Sequence, residues 1–266
     1  MQRMVTRRQI AGLIAAAPLL ALGGHRIFAA SAPRIARLIE ESQAYPKVAQ
    51  RLDAISRALL GTKYVAHTLI GGPRRAEEFV VRDDAFDCVT FNETVLAIAL
   101  ARDTKEFEAK LRRVRYHHGN VSWRERNHYF ADWCERNVEN KLCRPVAVDG
   151  MVKLSKTAST EPAMGRRQWT LDVIPQKAML AAAAKFEPGD IVGFISNRAN
   201  LDYSHTGFVT FGKDKREFLL RHASSTRRRV MDEKMAGFIA ANGVRYVTVL
   251  RAQESPAPAR ASDIPT

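Results

Sequence analysis

From Pro188 onward the chain is a succession of short β-rich runs broken by turn residues. "PGDIVGFIS" is a Pro-Gly-Asp turn running into a strand, "SHTGFVTF" and "REFLLRHAS" are two further runs, and "VRYVTVLR" is another. Consecutive strands of this kind pair antiparallel, and the sheet they form needs an apolar cover. The earlier part of the chain supplies it. Between Pro33 and Leu60, the residues Ile35, Leu38, Ile39, Val48, Leu52, Ile55, Leu59 and Leu60 recur at helical spacing, with an interruption around Pro46. Two helices are expected there. From Cys88, the positions Val89, Phe91, Val95, Leu96, Ile98 and Leu100 predict a largely buried helix, and Thr104 to Tyr116 predicts a more charged one. The expected fold is α+β, with N-terminal helices packed on one antiparallel sheet. "TKYVAHTLI", bracketed by Gly61 and Gly71-Gly72-Pro73, reads as a strand or extended loop, and Ala147 to Arg167 as a polar insertion with little periodicity. No internal repeat is visible. Residues 33–252 are expected to form a single domain, and residues 253–266 have the composition of a disordered tail.

The charge is strongly biased, with 42 Lys+Arg against 28 Asp+Glu, or +14. Such a surface favours anionic partners. The N-terminus narrows the choice. Arg7 and Arg8 directly precede an apolar stretch, Ile10 to Leu22, that is short for a membrane span and gives way to Gly23-Gly24 and small residues. This order resembles a twin-arginine export signal over residues 1–30, cleaved near Ala30; a retained signal would act as a membrane anchor. Cleavage takes four arginines and no acid from +14 and leaves +10. An exported protein meets no nucleic acid, so a periplasmic location with peptidoglycan and the anionic wall surface as partners is expected.

Three cysteines, Cys88, Cys134 and Cys143, suggest one bridge and one free thiol in an oxidising compartment. Cys134 and Cys143, close in "DWCERNVENKLC", are the candidate pair, although a chain folded in the reducing cytoplasm before export would keep both as thiols. Cys88 is the thiol left over. Asp87 is a good N-cap, which places Cys88 in the first turn of the apolar helix, where unpaired N–H groups favour a thiolate. Asp83, Asp84 and Asp87 oppose this electrostatically. A base near the sulfur would decide, and two histidines lie in the strand-rich part, His205 and His222. If the "FGKDKRE" turn is centred between Lys213 and Asp214, the two stand directly opposite on one face of a hairpin. One could then act as general base to the thiol and the other orient it. The competing readings are a thiol that merely packs and a zinc site; CxxC, HxxH and HExxH spacings do not occur. No cofactor is expected.

"FDCVTFNET", "RNHYFADW", "GDIVGF", "LDYSHTGFV" and "RHASS" occur in the order found in the DUF1460 family, and the chain from about Lys63 to Arg251 resembles these amidase-like members of the NlpC/P60 superfamily of papain-like cysteine hydrolases. The resemblance implies a papain-like core with Cys88 as nucleophile, His205 as general base and His222 as orienting residue. It also implies a peptidoglycan fragment as substrate, cut at the amide between N-acetylmuramic acid and L-alanine. The chain departs from the expected pattern in "YVAHTLIGG", where His67 stands at a position expected to be small. His128, Tyr129, Asp132 and Trp133 of "RNHYFADW" read as an amphipathic helix by spacing alone; with the resemblance they are assigned to the substrate cleft. Tyr64, Asp202 and Ser204 are assigned to the same cleft. The readings to separate from this one are a stem-peptide endopeptidase of the D-glutamyl-diaminopimelate type and a non-catalytic basic wall-binding protein. A monomer is expected.

Overall fold

The computed structural model describes residues 26–254 apart from Lys215, with side chains described from Pro33 onward. The twin-arginine stretch and residues 255–266 lie outside these residues. Helix α1 (Arg26–Ser42) buries Ile35, Leu38 and Ile39, and α2 (Val48–Ala58) buries Val48, Leu52 and Ile55. The break between them falls at Tyr45-Pro46, because a residue before proline is pushed out of the helical region. Ala30, the expected cleavage point, lies inside α1.

Helix α3 (Cys88–Leu100) is buried along almost its whole length and is the centre of the molecule. Its start is fixed locally: the Asp87 carboxylate accepts from Thr90 N–H at 2.8 Å, and Thr90 Oγ1 accepts from Asp87 N–H at 3.0 Å. Around it pack α1, α2 and α4 (Thr104–Arg115), while strands cover the remaining side. Helix α5 (Phe130–Glu139) packs on α4, and α6 (Gln176–Ala181) and α7 (Met235–Ala241) lie later in the chain. Among the described residues no helix is long and apolar enough to cross a membrane.

The strands are β1 (Lys63–Tyr64), β2 (Ile70–Gly72), β3 (Arg75–Glu78), β4 (Ala85–Phe86), β5 (Cys143–Pro145), β6 (Val152–Ala158), β7 (Arg167–Pro175), β8 (Ile191–Ile195), β9 (Tyr203–Phe211), β10 (Phe218–Ser224), β11 (Arg229–Lys234) and β12 (Tyr246–Ala252). The main sheet runs β4-β1-β11-β10-β9-β8-β12-β7-β6, with β5 also on β12, and only β1 and β4 pair in parallel. The α+β expectation holds. The "polar insertion" does not: β6 and β7 form a seven-pair antiparallel ribbon from Val152↔Val173 to Ala158↔Arg167. Ala158 is the one buried residue of β6, so the strand carries little alternation of apolar and polar residues to read. Of the residues assigned to the tail, Gln253 and Glu254 are bonded to the domain. Gln253 N–H donates to Leu142 O at 2.9 Å, and Glu254 accepts from the first N–H of α2, at Val48, and pairs with Arg51.

Candidate active site

Cys88 is the first residue of α3, as its spacing predicts, and it is only partly buried. Its sulfur lies against the backbone N–H of Thr206, the residue that follows His205, and against the N–H groups of Cys88 and Val89 in the first helical turn. These donors favour the thiolate. Desolvation in the dense surroundings, with the Asp87 charge second, outweighs them and pushes the thiol up to about 12. At rest Cys88 therefore keeps its proton, and the helix N-terminus alone does not ionise it. The same helix is anchored to the strand by the fully buried Asn92, whose Nδ2–H donates to Thr206 Oγ1 at 2.7 Å, and by the edge-on contact of Phe91 with Phe208 at 5.5 Å.

Alternation along β9 turns Thr206 and Phe208 toward α3 and puts His205 on the side that carries Phe194 and Phe238. His222, on β10, shares that side. His205 Nε2 and His222 Nδ1 are 2.6 Å apart with the rings perpendicular. The two side chains meet, but not in the expected register. The ladder pairs Phe211 with Phe218 and Phe208 with Arg221, which sets the turn centre one residue later than predicted and leaves His205 and His222 diagonal rather than opposite. Gly207 makes the diagonal contact possible: a Cβ there would lie 2.7 Å from Arg221 O and 2.9 Å from His222 Cβ. With no side chain at 207, the His222 ring leans across to His205.

Burial and the neighbouring His222 lower His205 to about 3, so its imidazole is neutral at working pH. With Nε2 occupied by His222, Nδ1 is the nitrogen left to serve a thiol. His222 is 2% exposed, and burial lowers it as well, opposed by Glu233. Glu233, on β11, brings Oε1 to 2.7 Å from His222 Nε2, off the line of the ring N–H, so the contact is a short electrostatic one rather than an aligned hydrogen bond. The sequence reading missed Glu233 together with its strand. Tyr64 is also brought to the site, since the charges of Cys88 and Asp87 both act on its hydroxyl, and desolvation followed by these charges raises it. The guanidinium of Arg228, a non-glycine residue with left-handed φ, sits 5.9 Å from the Tyr64 ring. Ser204 is exposed and donates to Phe194 O at 3.3 Å. Among the described residues no three His, Cys, Asp or Glu side chains converge as metal ligands.

The remaining assigned residues require correction. His128 precedes α5 and is not on it; its Nε2 lies 2.6 Å from Trp123 O, and its ring packs on Trp123. Tyr129, Asp132 and Trp133 are 1%, 3% and 0% exposed, so they cannot contact a ligand on a cleft wall. Asp132 accepts from Trp169 Nε1 and Arg167, both at 2.9 Å, and so fastens α5 to β7. Asp202 is buried and accepts from Ala131 N–H at 2.8 Å, capping α5 from a neighbouring loop. Phe130 stacks on Trp133 and meets Tyr203 edge-on. "RNHYFADW" and "LDYSHTGFV" thus hold each other in place and present His205. His67, the departure from the expected pattern, is exposed with φ of 56°, a region that favours glycine. Cys134 and Cys143 are both free thiols here; Cys143 is fully buried and Cys134 contacts Thr248 and Tyr203.

Residues 54–244 match the AmiA-like family, described as N-acetylmuramoyl-L-alanine amidase-like. An N-acetylmuramoyl-L-alanine amidase from Bacteroides uniformis is 25% identical, with a TM-score of 0.67, over 78% of this chain and 99% of its own. A DUF1460 protein from Legionella pneumophila is 21% identical, with a TM-score of 0.76, over 88% of this chain and 99% of its own, and shares the fold. No curated protein matches the chain.

Proposed function

The chain belongs to the N-acetylmuramoyl-L-alanine amidase-like family, and from that membership we propose that it is an exported cysteine hydrolase that cleaves the amide between N-acetylmuramic acid and L-alanine in peptidoglycan fragments. The observation that carries the cysteine chemistry is the placement of Cys88 at the start of α3 with its sulfur against the N–H of Thr206, next in the chain to a neutral His205 that contacts His222. His205 Nδ1 takes the thiol proton as the sulfur attacks the lactyl carbonyl carbon. The charge that develops on the carbonyl oxygen is stabilised at the N-terminal turn of α3, where the N–H groups of Cys88 and Val89 face the sulfur. The imidazolium then gives the proton to the departing L-alanine nitrogen, and the C–N bond breaks to leave a thioester. Water attacks that thioester with His205 again as base, releasing the acid and restoring the thiol. Since Cys88 is pushed up and His205 is lowered, the proton moves only as the sulfur engages the carbonyl. Export is supported by the paired arginines ahead of the short apolar stretch.

Incubation with defined disaccharide-peptides, followed by mass analysis, tests the reading. Free disaccharide plus an intact peptide beginning with L-alanine is the expected outcome, absent with Cys88→Ala. Fragments cut within the stem would make the protein an endopeptidase. Binding to wall material with no cleavage by the wild type would leave a non-catalytic protein.

A further inference from the structure

The contacts behind the histidine pair fix where each proton resides, and they begin at a residue outside the expected triad. Glu233 Oε1 is 2.7 Å from His222 Nε2. The oxygen lies off the line of the ring N–H, but an anionic oxygen this close disfavours a bare nitrogen and draws the ring hydrogen to Nε2. His222 is 2% exposed and held neutral by burial, so it has one ring proton; with that proton on Nε2, its Nδ1 is bare. The bare Nδ1 faces His205 Nε2 at 2.6 Å, a contact that needs one proton between the rings, and His205 must supply it. His205 is neutral too, so its single proton is spent on Nε2 and its Nδ1 presents a lone pair.

We infer that Glu233 is a positioning residue that sets the tautomer of both histidines and so keeps the base nitrogen of His205 free for Cys88. The role rests on the cysteine-hydrolase reading above for its purpose, but the tautomer itself does not. Without the carboxylate, His222 can turn its proton to Nδ1 and donate to His205 Nε2. His205 would then carry its proton on Nδ1 and could take none from the thiol. No other carboxylate is free to substitute. Asp232, the next acid on β11, is clamped by both arms of Arg221 at 2.7 Å, and the residue that α7 places against the pair is the uncharged Phe238. Glu233 remains partly exposed, with a side-chain accessibility of 35%, so replacing it removes no core volume.

The test has an arm that needs no catalysis. In Cys88→Ala protein labelled with ¹⁵N-histidine, the ring nitrogens of both residues should show protonated Nε2 and bare Nδ1 near neutral pH. Adding Glu233→Leu should shift His222 toward protonated Nδ1. The kinetic arm uses the otherwise wild-type chain. Glu233→Leu should lower kcat on the order of ten- to a hundredfold with KM nearly unchanged, and Glu233→Gln, which keeps an acceptor oxygen, should recover part of the loss. Both should move the acid limb of kcat/KM to lower pH, since removing an anion beside the pair makes it harder to protonate. Protonated Nδ1 on His222 in the presence of Glu233, or wild-type kcat and an unmoved acid limb in Glu233→Leu, would overturn the inference. If the wild type hydrolyses no muropeptide, the amidase reading falls while the nitrogen spectra still decide the tautomer.

Discussion

Cys88 is held as a thiol and His205 as a neutral imidazole, and this sets the pH behaviour expected of the proposed pair. His205 is lowered to about 3, so its neutral form is the folded one; acid must force a proton onto it. The acid limb of kcat/KM should therefore lie well below the ordinary histidine value of about 6.5. The unfolded chain binds that proton from about pH 6.5 downward, so stability should decline as pH falls through that value toward 3, a trend that pH-resolved denaturant titrations would expose. His205→Ala should abolish turnover almost as completely as Cys88→Ala or Cys88→Ser, while His222→Ala should be milder because the base survives; the reverse ranking would exchange their roles. The thiol was legible because its determinants are local: Asp87 and Thr90 cap the helix within three residues. The histidine pair was legible as two residues flanking one turn, but the diagonal register was not, because Gly207 acts through what it omits. Glu233 was hidden by long-range geometry, since its partner lies on another strand.

At the level of elements, the site is a junction of α3 with β9, β10 and β11, and the elements are fastened by groups that sit away from the chemistry. Gly207→Ala should destabilise the fold by about 1–3 kcal/mol through overpacking against Arg221 O and His222 Cβ, and it should reduce turnover more than its stability loss explains. Thermal melts read beside kcat would separate the two effects. The other fastening is the buried pair of Arg115 and Glu93 at 2.7 Å, which ties the end of α4 to α3, with Arg115 also donating to Val80 O at 2.6 Å. Glu93→Ala strands a buried guanidinium and should cost about 3–5 kcal/mol, measurable as a lower denaturant midpoint. Helices α1 to α4 were legible because each has one apolar stripe or, for α3, a continuous apolar run. The assignment of "RNHYFADW" to a cleft wall failed because spacing cannot tell a face turned toward a ligand from a face turned toward a neighbouring strand. Here β7 and the loop bearing Asp202 take up that face. The β6–β7 ribbon escaped notice because β6 buries only Ala158 and so shows no apolar alternation.

For the whole molecule, the net charge of +14 predicts two separable behaviours. Retention on intact sacculi should weaken from low to moderate salt, because exposed charges are screened beyond about 10 Å at 0.1 M. Turnover of a small soluble disaccharide-peptide should change far less, since it depends on short contacts around Cys88, His205 and His222. A parallel fall in both would place the basic surface within the catalytic cleft. The strand order carries a different consequence, one of timing. β12 follows every other described strand in the chain, yet it lies inside the sheet, bonded to β8 on one side and to β7 and β5 on the other. A ribosome makes it after all three of its neighbours, which until then hold open edges. A nascent chain halted before Tyr246 would thus own Cys88, both histidines of the pair and all of its described helices, and its sheet would still be in two unjoined parts. The main sheet closes only once the chain has been made through Ala252.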